Sequence, residues 1–203
     1  MAVELARKKS ADNIRSELDR IELQGECLES LVNDVLGLLR ESSEHSPKLD
    51  EDLDLTELLS ELVEVVNYEA PQGQPGILWP PQLPLIYRGD RELLWRTMEN
   101  LLRNALHHTD PMRGVELSLW ADAQTRMVNL VVRDQGSGVA EAELDKIFQP
   151  FYRVQESRDR SSGGHGIGLA IAAAAVGRHG GQIQASNAEG GGLSVRVSLP
   201  LLT

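Results

Sequence analysis

The stretch Gly163-Gly164-His165-Gly166-Ile167-Gly168-Leu169-Ala170-Ile171-Ala172 sets four glycines within six residues and runs straight into an alanine-rich segment. Glycine reaches backbone angles closed to other residues and lets another group approach the main chain closely. Residues 169–176 hold five Ala and one Leu, both strong helix formers, so a helix is predicted there. A flexible turn that opens a helix presents unpaired N–H groups and the positive end of a dipole, which suits phosphate. The spacing is G-x-G-x-G. It fits neither the dinucleotide pattern G-x-G-x-x-G nor the phosphate-loop pattern, because no Lys-Ser or Lys-Thr follows. Alone, the stretch reads either as a helix entry with a loose loop or as an anion cradle.

The 203 residues leave room for one ordinary domain and an appendage. Hydrophobic residues at 41% permit a core, and aromatics at 4% require aliphatic side chains to fill it. The net charge of −11 excludes a general nucleic-acid binder, which would show a basic face. It does not forbid an anion site, since exposed charges beyond about 8 Å are largely screened at physiological salt. One cysteine, Cys27, cannot form an internal disulfide, which fits a reducing compartment. No apolar run approaches the ~20 residues needed to cross a bilayer.

Residues 14–41 predict a long helix. Ile14, Leu18, Ile21, Gly25, Leu28, Val32, Val35 and Leu39 alternate spacings of four and three, a heptad seam. It reads either as a helix that dimerises or completes a bundle, which its length favours, or as a single amphipathic helix packed on its own domain. Residues 42–52 are polar, contain Pro47 and read as a linker. Asp54 is placed to cap a helix over 55–68 that buries Leu58, Leu59, Leu62, Val65 and Val66. Residues 71–84 are rich in Pro and Gly and read as loop, and 85–87 as a strand. Asp90 is placed to cap a helix over 91–108 with an apolar face of Leu94, Met98, Leu101, Leu102 and Ala105.

That helix carries Asn100 and Asn104, four apart and therefore on one face, within an apolar run. Buried amides need partners. Either the two bond to neighbouring backbone, or an amide oxygen serves magnesium, a hard ion that takes few protein ligands. Residues 115–121 and 127–133 alternate apolar and polar and predict an antiparallel hairpin. The second strand runs into Asp134-Gln135-Gly136-Ser137-Gly138-Val139. An ionised Asp only accepts hydrogen bonds, so this one either pairs with a donor such as an exocyclic amine or makes an ordinary Asx turn. Residues 141–146 read as a short helix, and Phe148 and Phe151 as anchors for the segment after them. Residues 155–162, with Arg153, Arg158 and Arg160 nearby, read as a lid hinged at Gly163 and Gly164. Residues 181–188 and 193–199 read as a closing strand pair.

Taken together and in order, these motifs resemble the sensor histidine kinases. Glu99-Asn100-Leu101-Leu102-Arg103-Asn104-Ala105 is similar to their asparagine box, Asp134-Gln135-Gly136-Ser137-Gly138 to the first glycine box, Ile147-Phe148-Gln149-Pro150-Phe151-Tyr152-Arg153 to the phenylalanine box, and Gly164-His165-Gly166-Ile167-Gly168-Leu169-Ala170 to the second glycine box. The resemblance covers roughly residues 53–202. It implies an α+β fold, a Bergerat-type ATP-binding α/β sandwich with helices on one face of a mixed sheet. It further implies ATP and Mg2+ as ligands, Asn104 as the magnesium ligand and Asn100 as a neighbouring polar contact. It puts Asp134 on the adenine amine, Gly136 and Gly138 beside the base, and Gly164, Gly166 and Gly168 beside the phosphates. His107, His108, Val139, Ile147, Phe151, His165, Ile167 and Leu169 fall around the nucleotide, and Arg153 and Arg158 shield the γ-phosphate.

The resemblance also implies a division into a partial dimerisation and phosphoacceptor hairpin, residues 1–45, and a catalytic ATP-binding domain, residues 46–203. None of His45, His107, His108, His165 and His179 stands in the His-Glu context of the phosphoacceptor. The expectation is therefore a truncated, cytoplasmic portion of a bacterial inner-membrane receptor, anchored through a missing upstream segment. The expected activity is a histidine protein kinase whose acceptor histidine lies elsewhere, with a homodimer through the hairpin and a response-regulator receiver domain as partners. The alternatives are a serine protein kinase or ATPase of the same superfamily, which the heptad helix opposes, and a nucleotide-inactive dimer scaffold, which Asn104, Asp134 and the glycines oppose. Some positions depart from the family pattern. His107 stands where Lys or Arg is common, His108 where Tyr is, and His165 where Thr is; Leu193 and Val195 replace the usual Thr and aromatic. A neutral imidazole at position 107 would give a weaker phosphate contact than a cation.

Overall fold

The structure, a computed structural model, describes residue 49 and residues 51–69, 75–80, 82–110, 112–154 and 166–201. The predicted heptad helix and the hairpin over 1–45 lie outside the described residues, as do Arg158, Gly164 and His165.

Described elements run in the order β1 (Glu51–Asp54), α1 (Leu55–Glu69), β2 (Ile77–Leu78), β3 (Ile86–Gly89), α2 (Arg91–His108), β4 (Val115–Asp122), β5 (Met127–Arg133), two 3-10 turns (Glu141–Glu143 and Lys146–Phe148), α3 (Gly168–Arg178), β6 (Gln182–Asn187) and β7 (Leu193–Pro200). Among the described residues, five strands make one mixed sheet in the order β2-β4-β5-β7-β6. β2 is parallel to β4, and the remaining neighbours are antiparallel. β1 and β3 form a separate antiparallel pair.

Strand alternation decides which sheet face is covered. Val115, Leu117 and Leu119 of β4, Val128, Leu130 and Val132 of β5, and Leu193, Val195, Val197 and Leu199 of β7 all point into one core. The helices pack on that side: α1 against α2 and β2, α2 against β4 and β5, and α3 against α2 and β6. On the opposite face of the sheet, Trp120 is partly exposed beneath the guanidinium of Arg196, 5.6 Å from its ring centre. The α+β sandwich with helices on one face of a mixed sheet is thus the observed fold.

Helix starts follow the capping chemistry. Asp54 Oδ1 accepts the N–H of Thr56 at 2.9 Å and of Leu85 at 3.2 Å, so one carboxylate starts α1 and holds the approach to β3. Asp90 Oδ1 accepts the N–H of Leu93 at 3.1 Å and starts α2. The predicted apolar face of α2 is buried at every position. On α1 the buried stripe is Leu55, Leu58, Leu59, Leu62, Val63 and Val66, whereas Val65 is 44% exposed. Val65 had been expected inward; a 100° step per residue swings it away from the Leu62–Val66 line, where Val63 fits instead. The linker expected over 42–52 is also revised at its end, since Glu51 and Asp52 pair with Gly89 and Arg88. Acidic residues are depleted in strands, and only the partner strand makes this one form.

His179, just after α3, is 2% exposed. Burial pushes its pKa below the ordinary value, outweighing the Ala175 carbonyl and the Asp90 carboxylate, which act the other way. The unfolded chain therefore takes up a proton near pH 6.5 that the folded chain refuses. Stability from the neutral ring is complete above about pH 6.5 and is lost as pH falls below it. The urea midpoint of the protein is expected to drop between pH 6.5 and 5 by more than that of His179→Gln; parallel profiles would refute this.

Candidate functional site

The site is assembled where the C-terminal half of α2, the end of β5 and the start of α3 come together. Asp134 closes β5 and is 3% exposed. Its Oδ1 accepts the N–H of Gly136 at 2.9 Å and the N–H of Leu193 at 3.0 Å. Its own N–H donates to the carbonyl of Leu193 at 2.9 Å. The carboxylate thus makes an Asx turn and also ties the end of β5 to the start of β7. Both bonds use one oxygen, so the lone pairs of the other are not needed to hold the turn.

The glycines around this turn are demanded by the protein's own packing. A Cβ on Gly136 would overlap the carbonyl oxygen of His108, and one on Gly192 the carbonyl oxygen of Asp134. Gly138 has φ +74, and a Cβ there would lie 2.6 Å from Asn187 Oδ1. The last turn of α2 therefore rests directly on the Asp134–Gly136 backbone.

Asn100 and Asn104 are both half-buried on one face of α2. Among the described residues no hydrogen bond ties either side-chain amide. Of the two readings open for these amides, bonding to neighbouring backbone is thus not what the described residues show. A Cβ on Gly168 would lie 3.0 Å from Asn100 Oδ1, so the first turn of α3 sits against the asparagine face. Gly168 itself opens α3 as its first residue. Ahead of it, Gly166 has φ +71 and faces the carbonyl of Tyr152, while its own carbonyl accepts the N–H of Phe151 at 2.8 Å. That bond joins the two flanks of the 155–165 segment.

His107 and His108 are exposed at the end of α2, their rings edge to face with centres 4.8 Å apart. Desolvation and the neighbouring His107 push the His108 pKa down, and Arg153 adds to this, against the pull of Asp134. His108, Asp134 and Arg153 therefore share one electrostatic neighbourhood. Ile147 and Ile167 are buried, and Val139 and Leu169 are partly buried against the core. Phe151 corrects the expectation of an aromatic anchor: it is 65% exposed and has φ +64. Its partner Phe148 does pack on the core. A β carbon in the left-handed region is strained, and the Gly166 hydrogen bond is what holds Phe151 there.

Two supporting residues carried no signal in the sequence. Thr109, 9% exposed, follows α2; its Oγ1 donates to the carbonyl of Gly114 at 2.9 Å and accepts the N–H of Gln135 at 3.0 Å. Asn187, at the end of β6, accepts the N–H of Val139 at 2.9 Å and donates to its carbonyl at 2.7 Å. One pins the Asp134 turn to α2, and the other pins the Gly138–Val139 turn to the sheet edge. A Ser or Thr after a helix and an Asn at a strand end are too common to single out.

Known proteins resemble this chain in sequence and in fold. A family model described as histidine kinase-, DNA gyrase B-, and HSP90-like ATPase matches residues 89–203. Sensor histidine kinase CpxA of Escherichia coli (strain K12) is 34% identical over 198 residues, 97% of this chain. The chain spans 42% of the length of that relative. Among solved structures, the mycobacterial sensor histidine kinase MprB superposes with a TM-score of 0.64 at 28% identity, over 74% of this chain and 97% of that one. Full-length ShkA, solved in complex with AMPPNP, superposes with a TM-score of 0.76 at 27% identity, over 93% of this chain and 39% of that one.

Thr109→Val keeps the shape but strips the hydroxyl, leaving the Gly114 carbonyl and the Gln135 N–H without their partner. The expected loss of stability is about 1–3 kcal/mol in chemical denaturation. Thr109→Ser is expected to restore most of it; equal stability of the Val and Thr proteins would contradict the assignment.

Proposed function

The chain belongs to the histidine kinase-, DNA gyrase B- and HSP90-like ATPase family, and we propose that it is the catalytic ATP-binding part of a sensor histidine kinase. The observation that carries this is the pairing of an unbonded asparagine face on α2 with the glycine turn that opens α3, beside a buried carboxylate with an oxygen to spare. ATP lies between α2 and α3. Asp134 accepts the exocyclic amine of adenine, which gives adenine its advantage over a base with a carbonyl at that position. The N–H groups at the start of α3, with the helix dipole behind them, face the phosphates.

The side chains fit a magnesium ion that arrives with the nucleotide. Among the described residues no three His, Cys, Asp or Glu side chains converge, whereas a single amide oxygen on Asn104 suits an ion that keeps its waters and the substrate phosphates as most of its ligands. When bound, magnesium supplies charge neutralisation at the phosphates. Asn100 supports the same face from one turn away, against Gly168. Arg153, whose charge already acts on His108, adds positive charge toward the γ-phosphate.

In the transfer itself, an imidazole nitrogen of an acceptor histidine attacks the γ-phosphorus, an N–P bond forms, the bond to the bridging oxygen breaks and ADP leaves. The residues of this chain position and stabilise rather than react covalently. The acceptor lies on a helical hairpin, from which a response-regulator aspartate takes the phosphoryl group. Label transferred from ATP to such a hairpin added in trans is expected to be acid-labile, as phosphohistidine is; acid-stable label would favour serine phosphorylation.

Titration calorimetry with a non-hydrolysable ATP analogue tests the pocket. Binding is expected to need magnesium, and Asn104→Ala is expected to weaken it about tenfold or more, ~1.4 kcal/mol. Chelating the metal should erase the difference between the two proteins. Undiminished binding by Asn104→Ala would reject the assignment.

A further inference from the structure

His179 lies at the end of α3 remote from the glycine turn, and both its ring nitrogens are engaged. Nε2 accepts the backbone N–H of Asp90 at 3.1 Å, and Nδ1 lies 2.9 Å from the carbonyl oxygen of Ala175. An amide N–H only donates, so Nε2 holds the lone pair and Nδ1 the proton: the ring is a neutral tautomer with nothing left over. Asp90 is equally committed, since its carboxylate caps α2 through Leu93 and its carbonyl takes the N–H of Leu94 at 3.1 Å. One side chain therefore joins the last turn of α3 to the first turn of α2. Room for the ring comes from Gly89, where a Cβ would stand 3.2 Å from His179 Cδ2 and 2.7 Å from Tyr87 Cε1.

The two helices pack against each other between that bond and the site, where the contact is Asn100 against Gly168. Asn100 is ten residues beyond Asp90, and Gly168 is eleven before His179. At 1.5 Å per residue the two contacts are about 15 Å apart along an antiparallel helix pair. The His179 bond is the polar tie at one end of that packed span, and a nucleotide would sit at the other.

We infer that His179 is a positioning residue for nucleotide binding: its hydrogen bond to Asp90 sets the angle between α2 and α3 and so keeps the Gly168 turn against the Asn100–Asn104 face. This rests on the nucleotide reading above. His179 touches no ligand and acts through the helix it ends. The groups facing it are Asp90 from α2, which favours a proton on the ring, Arg178 from its own helix, which opposes one, and Tyr87 from β3. Burial pushes the Tyr87 phenol up to about 12, so it brings no charge.

Two substitutions separate positioning from mere filling. Gln places an acceptor oxygen near the position of Nε2, and Leu fills the space without one. Affinity for the magnesium complex of AMPPNP is measured on the whole chain, with folding checked by circular dichroism. His179→Leu is expected to bind about tenfold more weakly, the scale of one buried hydrogen bond, and His179→Gln within about threefold of the unaltered protein. Equal affinity of folded Leu and unaltered proteins, or equal losses in Leu and Gln, would overturn the inference. A second measurement needs no variant and covers the case in which the Leu protein does not fold. Coupling is reciprocal, so saturating AMPPNP is expected to raise hydrogen-exchange protection of the Asp90 amide more than that of the sheet amides of Leu130 and Val197. Protection that rises only in step with the sheet would overturn it. If the unaltered protein binds no AMPPNP, the nucleotide reading itself has failed.

Discussion

A buried carboxylate is costly unless donors are supplied, and at Asp134 the backbone supplies them. Two N–H groups, of Gly136 and Leu193, converge on one oxygen. They come from segments far apart in sequence, so the charge is stabilised only when β5 and β7 are adjacent and the turn after β5 is tight. The glycines follow from this. His108 leaves no room for a side chain at 136, and the Asp134 carbonyl leaves none at 192. The same arrangement leaves a carboxylate oxygen that the fold does not use, which is what a recognition group requires.

Around that turn the site is built from helix ends rather than from loops. α2 brings its asparagines and its last turn, and α3 brings its first turn. The sheet beneath them is aliphatic on the covered face. Surface ion pairs join α1 to α2 at Arg91–Glu61 and Arg103–Glu69, both 2.6 Å and half-exposed. Exposed pairs of this kind contribute little, on the order of 0–1 kcal/mol. The relative placement of the helices depends instead on the apolar stripe of α2 and on the polar bonds of the buried Thr109 and His179.

Those polar bonds also mark where the sequence stops being readable. The stripe of α2, the hairpin of β4 and β5 and the caps Asp54 and Asp90 are local patterns, and each reappears in the structure nearly residue for residue. Thr109 reaches Gln135 across 26 residues, Asn187 reaches Val139 across 48 and His179 reaches Asp90 across 89. Nothing in the chain near any of them announces its partner. β1 was hidden for a related reason: a short acidic segment becomes a strand only because β3 lies beside it. Phe151 was misjudged because an aromatic side chain suggests burial, whereas its left-handed backbone, pinned to Gly166, turns it outward. The asparagine and glycine motifs were legible as types, but their meeting at Asn100 and Gly168 is a fact of the folded chain alone.

The most direct measurement is a crystal structure of this chain grown with magnesium and AMPPNP. The expected density puts the exocyclic amine of adenine within hydrogen-bond reach of Asp134 and a metal about 2.1 Å from Asn104 Oδ1, with the phosphates at the first turn of α3. Nucleotide bound away from the α2–α3 face, or bound there with Asn104 and Asp134 both out of reach, would contradict it.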